Sequence, residues 1–288
     1  MANSLLLNAN ALNIPLADKS VQMVCCSPPY WGLRSYNTGP NKHLELGNEL
    51  LHDCLGWATG IPCGECYVCH TLAWTREVRR VLRDDGVFFL NLGDTYASGM
   101  RSAYDDDRHK YRTARAHDKR PPTPANLKPK DLIGIPWRVA FALQADGWYL
   151  RSEITWCKRN PMPESVSDRP TSATEKIFLL SKSPRYFFDA EAVREGFADE
   201  RMGQDGGQTK RVLNVGGRTD GFTTPSGWTN EYGNTGRNVR NFWLLSSEPF
   251  PGAHFATFPT EIPRRAIKAG TRSEEHTSEL QSLRHPVC

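Results

Sequence analysis

Apolar residues in this chain fall into short runs whose spacing alternates between two periods. The run VQMVCC (Val21–Cys26) is apolar nearly throughout, the pattern of a strand buried on both faces. From Cys66 to Leu82 the positions Val68, Leu72, Thr75, Val78 and Leu82 recur at helical spacing. Arg76, Arg79, Arg80 and Arg83 occupy the rest of that turn pattern, and Gly86 is the expected stop. GVFFLNLGD then reads as a second buried strand. Strand, helix and strand in this order predict a parallel pair joined by a right-handed crossover.

Further along, Asp131 is positioned to cap a helix running to about Asp146, with Leu132, Ile135, Val139 and Leu143 inward. WYLRSEITWCK and EKIFLLSKSPRYFFD predict two more strands, close enough in sequence to pair antiparallel at a sheet edge. NVRNFWLLS resumes ordered structure late in the chain. A turn and a helix follow Pro259 and end at Gly270. Near the start, SLLLNANAL reads as a short strand and turn. The fold class expected from these elements is α/β.

Two stretches carry no apolar period. Between Arg101 and Lys130 there are nine Lys or Arg and four Asp, so this segment alone holds more excess positive charge than the whole chain, whose net charge is +4. Read as a long loop, it suits a polyanion such as nucleic acid. From Arg201 to Arg240 there are nine of the 23 glycines, six Lys or Arg and three Asp or Glu, a composition that reads as an insertion outside the core. No run of 18 apolar residues exists, so no membrane span is expected. The N-terminus lacks a secretory pattern. A cytoplasmic location follows, where the eight cysteines stay reduced.

The turn after the first strand carries the chemistry. Ser27-Pro28-Pro29-Tyr30-Trp31 ends a buried strand with two residues that cannot donate a ladder hydrogen bond. Its first four residues, Ser27-Pro28-Pro29-Tyr30, resemble the catalytic motif of the amino-group DNA methyltransferases. Three other segments are similar to the N4-cytosine and N6-adenine members of that family: REVRRVLRDDGVFFLNLGDTY, CKRNPMPESVSDRPTSATEKIFLLSKSPRYFFD, and GAHFATFPTEIPRRAIKAG. Together with the SPPYW segment they cover most of Leu5 to Thr271.

The resemblance implies an enzyme that moves a methyl group from S-adenosylmethionine to the exocyclic amine of a base flipped out of double-stranded DNA. Residue 27 and the Pro28 carbonyl would each accept one amine N–H, Pro29 would hold that carbonyl rigid, and Tyr30 would stack on the base. Serine at the first position points to cytosine N4, with adenine N6 as the alternative. The motif order, catalytic turn first and HFATFP late, is that of the permuted β class. The fold implied is Rossmann-like and circularly permuted, with an incomplete sheet. On the cofactor side the resemblance implies Asn8, Asn10, His254, Phe255, Ala256, Thr257 and Pro259. Asn8 and Asn10 stand where the family usually has a Gly-Asp pair, and Thr174 stands where a histidine is frequent.

The division expected is a catalytic region over 1–195, with its basic loop at about 99–130, then a target-recognition insertion over 196–240. A return to the catalytic domain covers 241–271. Lys210, Arg211, Arg218 and Arg237 are the candidate DNA contacts. The last residues, 272–288, resemble the read-through of a sequencing adapter and are expected to be foreign. The glycine-rich F-x-G-x-G loop that the family carries after the HFATFP helix is absent, so weak cofactor binding is expected. An inactive DNA-binding fragment is the second functional alternative. A monomer is expected, with a restriction endonuclease as a functional partner.

Cys54, Cys63, Cys66 and Cys69 are zinc candidates by spacing. Against that, Cys66 and Cys69 align onto an ordinary amphipathic helix of the family, where they would be buried i, i+3 neighbours. Methyl transfer itself needs no metal, and none is assigned to it. Cys25 and Cys26 are expected to be core thiols.

Overall fold

The computed structural model describes residues 7–32, 46–47, 49, 54–97, 126–195, 237–248 and 258–272. Their strands are β1 (Val21–Cys26), β2 (Leu82–Leu92), β3 (Tyr149–Lys158), β4 (Thr174–Ser181) and β5 (Phe242–Leu245). Their helices are α1 (Gly56–Thr59), α2 (Tyr67–Val81), α3 (Ile135–Ala145) and α4 (Glu261–Gly270). The strands form one sheet in the order β1-β2-β4-β3-β5. β1 and β2 are parallel, as are β3 and β5, and β4 runs antiparallel to both of its neighbours. One edge of the sheet therefore collects the carboxyl ends of β1, β2, β3 and β5.

Alternation along the central strands builds two cores. Phe88, Leu90, Phe178 and Leu180 face α2 and α3, together with Tyr67, Leu72, Trp74 and Trp148. Val87, Phe89, Ile177 and Leu179 face the other side, where Ile262, Ala266 and Ile267 of α4 cover them. The result is a three-layer α/β/α arrangement. Each fully buried side chain such as Phe88 contributes about 1.5–3 kcal/mol of transfer free energy. Cys25 and Cys26 divide between the two faces, and burial pushes the Cys25 thiol up to about 12.

Several sequence expectations are corrected. β1 has a neighbour on one side only among the described strands, and Met23 and Gln22 are its buried residues, so it is not buried throughout. α2 stops at Val81 and not at Gly86, because β2 starts at once with Leu82. Gly86 lies inside β2 opposite the β1 irregularity, where Val21 pairs with Leu82 but Met23 pairs with Val87. A Cβ on Gly86 would come within 2.8 Å of the Gln22 carbonyl oxygen, so close approach of the strands explains this glycine.

The β3–β4 pair is antiparallel as expected but does not form the edge, since β5 adds outside β3. The described part of the first segment, from Leu7 to Leu12, contains no strand. It is exposed and turns back through an Asn10 side chain that accepts the Leu12 N–H. α3 starts at Ile135, not at Asp131. Gly134 has φ +77°, a conformation that breaks the helix upstream, and Pro136 is tolerated only within the first turn. Asp131 instead accepts the Lys128 N–H, and Leu132 is exposed.

Two backbone clasps sit where the aperiodic stretches leave and rejoin this body. Ala97 N–H donates to the Asp131 carbonyl at 2.8 Å and Lys130 N–H to the Ala97 carbonyl at 2.6 Å. Glu195 and Arg237 exchange both backbone bonds, at 3.0 and 2.9 Å. The basic segment and the glycine-rich insertion lie largely between these clasps and outside the described residues.

Candidate active site

The SPPY turn begins where β1 ends, beside the carboxyl end of β2. In parallel α/β sheets this edge is where ligands bind. Ser27 Oγ–H donates to Tyr30 Oη at 3.0 Å. Tyr30 Oη–H donates in turn to Glu175 Oε2 at 2.6 Å, and Asn91 Nδ2–H donates to both Tyr30 Oη (2.7 Å) and Glu175 Oε2 (2.9 Å). Lys158 Nζ closes the chain on Glu175 Oε1 at 2.5 Å. Register explains this convergence. Asn91 opposes Ile177, and Glu175 opposes Trp156, so the ends of β2, β4 and β3 deliver Asn91, Glu175 and Lys158 to one spot.

Electrostatics follow from burial. Burial, then the negative charge of Glu175, hold the Tyr30 hydroxyl well above the usual tyrosine range. Tyr30 is therefore a neutral donor to a carboxylate. Ser27 spends its single proton on Tyr30, which leaves its oxygen as an acceptor toward anything that approaches the turn.

The turn's backbone is also held. Tyr67, the first residue of α2 and fully buried, donates its hydroxyl to the Pro29 carbonyl at 2.9 Å. Trp31 Nε1 donates to the Glu49 carbonyl at 2.8 Å, and Gly32 N–H to the Gly47 carbonyl at 2.8 Å. No donor from the described residues reaches the Pro28 carbonyl. Gly93, just past β2, lets the Tyr30 ring sit against the backbone: a Cβ there would lie 2.6 Å from Tyr30 Cδ2 and Cε2. Asp94 follows and accepts N–H bonds from Gly134 (3.0 Å) and Ile135 (3.1 Å), so it caps α3 in place of Asp131. Burial raises the Asp94 carboxyl above the ordinary aspartate value, against the pull of these backbone donors.

Sequence reading located the turn and missed Asn91, Glu175, Lys158, Tyr67 and Asp94. Only the buried Asn91 inside an otherwise apolar strand, FFLNL, carried a local signal.

Other expected site residues are not brought to the turn. Asn8 and Asn10 are exposed, and no hydrogen bond among the described residues links them to it. The chain that follows them is fastened instead to the end of α2, where Arg80 donates to the Ile14 and Leu16 carbonyls. Pro259 precedes α4. His254, Phe255, Ala256 and Thr257 lie outside the described residues, as do Lys210, Arg211 and Arg218. Arg237 is described, and its guanidinium is paired with Glu195 at 3.2 Å. Arg272 is part of the folded body: it donates to Gln22 Oε1 at 2.6 Å and to Asp85 Oδ2 at 2.7 Å.

For S-adenosylmethionine the described residues fit one end only. Ser27 Oγ and the Pro28 carbonyl are acceptors, complementary to a cationic methyl and to an amine N–H. No described segment forms a glycine cradle for the rest of the molecule.

The four candidate cysteines do come together. The sulfurs of Cys54, Cys63, Cys66 and Cys69 all lie within 4.8 Å of one another. Burial acts against the Cys63 thiolate, yet the backbone N–H groups of Glu65 and Cys66 and the Cys54 and Cys69 thiols bring this thiol down to about 6. Burial raises the Cys66 thiol.

A mixed sheet covered by helices on both faces, with a proline-rich turn at its carboxyl edge, is a Rossmann-like α/β arrangement. Comparison with known proteins gives the family. The DNA methylase profile for N6- and N4-acting enzymes matches residues 21–277, and the chain belongs to that family. It is 42% identical over 250 residues to the type II methyltransferase M.SmaI of Serratia marcescens, covering 86% of this chain and 68% of that protein. It is 42% identical over 261 residues to the type II methyltransferase M.Cfr9I of Citrobacter freundii, covering 91% and 70%. Among solved structures, the cytosine-N4-specific PvuII DNA methyltransferase is similar with a TM-score of 0.49 and 15% identity, over 90% of this chain and 66% of that one. The chain is thus a DNA methyltransferase of the N4/N6 amino group with type II relatives, and its family uses S-adenosylmethionine. Among the described residues no helix is long and apolar enough to cross a membrane.

Proposed function

We propose that the protein methylates the N4 amine of a cytosine flipped out of double-stranded DNA, at a specific sequence. The observation that carries this reading is the direction of the Ser27 proton. With Oγ–H committed to Tyr30, the serine oxygen is free to accept from an amine. The Pro28 carbonyl, fixed between two prolines, accepts the second amine N–H. Two acceptors on one nitrogen draw it away from conjugation with the ring and aim its lone pair outward, which is preorganised electrostatic stabilisation. S-adenosylmethionine supplies an electrophilic methyl on a sulfonium. Tyr30, anchored by Glu175 and Asn91, offers its ring to the flipped base.

The permuted β-class order, the role of Lys210, Arg211, Arg218 and Arg237 in gripping DNA, and the cofactor role of the HFATFP segment belong to the same reading. A restriction endonuclease with the same recognition sequence is the functional partner it implies, and a monomer is the working form.

The test is direct. DNA treated with the protein and S-adenosylmethionine is digested to nucleosides and resolved by mass. N4-methylcytosine supports the reading, N6-methyladenine moves the target to adenine, and no methylated base refutes catalysis by this chain.

A further inference from the structure

We propose that Cys54, Cys63, Cys66 and Cys69 form a closed tetrathiolate site for one zinc ion. The geometry fits. Zinc–sulfur bonds of about 2.3 Å in a tetrahedron place sulfurs about 3.8 Å apart. Here all four sulfurs lie within 4.8 Å of one another, and Cys54 and Cys69 are 3.3 Å apart, so small side-chain rotations close the shell.

The surroundings are built for sulfur. Gly56 N–H donates to Cys54 Sγ at 3.1 Å and Cys63 N–H to Cys69 Sγ at 3.2 Å. Such donors stabilise thiolates and orient the ligands. Cys66 is the N-cap of α2, where the helix dipole also favours negative charge. A Cβ on Gly56 would lie 2.7 Å from Cys69 Sγ and 3.1 Å from Cys54 Sγ, so the sulfurs leave no room for any other residue at that position. Gly64, between Cys63 and Cys66, has φ +82° and makes the tight turn that points both sulfurs inward.

Ordinary core packing does not account for this cluster. Two of the cysteines are buried, but Cys54 is only part-buried and Cys63 is exposed, which is no place for an apolar thiol. The neighbouring His70 is not a competing ligand. Its ring is held between Glu49 Oε1 at 2.8 Å and the Gly64 carbonyl at 3.0 Å.

With four protein ligands the metal has no open position, so its part is structural. It ties α1 and the loop after it to the first turn of α2. Tyr67 immediately follows Cys66 and holds the Pro29 carbonyl of the catalytic turn. The zinc would thus set the footing of that turn without touching substrate.

The chain is purified reduced, and its zinc content is measured by plasma mass spectrometry. About one zinc per chain is expected. Exchange with cobalt(II) should give the intense thiolate charge-transfer and visible bands of a tetrahedral sulfur site. Cys63→Ser, at an exposed position, should weaken zinc binding by about tenfold or more, while Cys157→Ser should keep one zinc. Two results would overturn the proposal: less than a tenth of a zinc per chain with no cobalt–thiolate band, or a zinc affinity, read by competition with a chelating dye, that is unaltered in Cys63→Ser. The cobalt spectrum needs no variant, so a Cys63→Ser protein that failed to fold would not leave the question open.

Discussion

Ser27 Oγ and Tyr30 Oη stand 3.0 Å apart, and the proton between them belongs to the serine. On the proposed reading, this puts a side chain three residues away in control of the acceptor that meets the target amine. Replacing Ser27 by Ala removes that acceptor and should lower kcat about 100-fold, with KM for DNA little changed. Tyr30→Phe frees the serine proton to point elsewhere and should cost about tenfold in kcat. Steady-state transfer of a labelled methyl group measures both. Full activity in Ser27→Ala would remove the serine from the mechanism.

Glu175 is the anchor of the chain. Glu175→Gln leaves Lys158 without its carboxylate in a largely enclosed place and should destabilise the fold by about 2 kcal/mol. Urea denaturation reads this loss. A kcat that falls further than the loss of folded protein explains would mark its effect on Tyr30.

The Tyr67 hydroxyl reaches the Pro29 carbonyl at 2.9 Å. Tyr67→Phe keeps the buried ring and removes the hydroxyl that makes this bond, a change of about 1 kcal/mol. Thermal melting should show a small drop. The turn becomes looser, so kcat should fall more than KM rises.

Gly93 has no room for a methyl group. In Gly93→Ala the new Cβ would meet the Tyr30 ring at 2.6 Å and push it from its site. We expect a stability loss of about 1–3 kcal/mol and a kcat at least as low as that of Tyr30→Phe. Near-ultraviolet circular dichroism would register the displaced ring.

Asp85 carries a pH signature. Burial raises its carboxyl, but Arg272 and then Arg83 outweigh this and hold it below the ordinary value. A depressed aspartate stabilises the fold above the unfolded value of about 3.9, and that contribution is lost as pH falls through the depressed one. Both partners are about one-third exposed, so Arg272→Met should cost under about 1 kcal/mol at pH 7. Its melting-temperature deficit should shrink as pH falls through the depressed Asp85 value, leaving only the share that the uncharged Gln22 bond and the Phe187 ring contact contribute. A constant difference across that range would show that the pair adds nothing.

Much of the frame was legible because it depends on local period. The Val68-Leu72-Thr75-Val78 stripe marked α2, and FFLNL marked β2, an interior strand. The SPPYW turn stood out because prolines at a strand end demand a reason. What escaped was decided by partners distant in sequence. Asp94 caps α3 from forty residues upstream, so the nearer Asp131 looked like the cap. Glu175 and Asn91 meet only because β2 and β4 pair in one register. Gly86 resembled a helix stop, whereas its absent side chain serves the approach of β1. The four cysteines were visible as spacing, but spacing alone could not separate a ligand set from two buried thiols on a helix.

The clasps at Ala97–Asp131 and Glu195–Arg237 bear on how such a protein can change over time. Each joins the two ends of a long stretch at a single point on the body. Lengthening between those points adds little closure entropy, which grows only slowly with loop length. On the proposed reading, in which 196–240 reads the target, a lineage could acquire a new target sequence by exchanging what lies between Glu195 and Arg237 and leave the SPPY turn untouched.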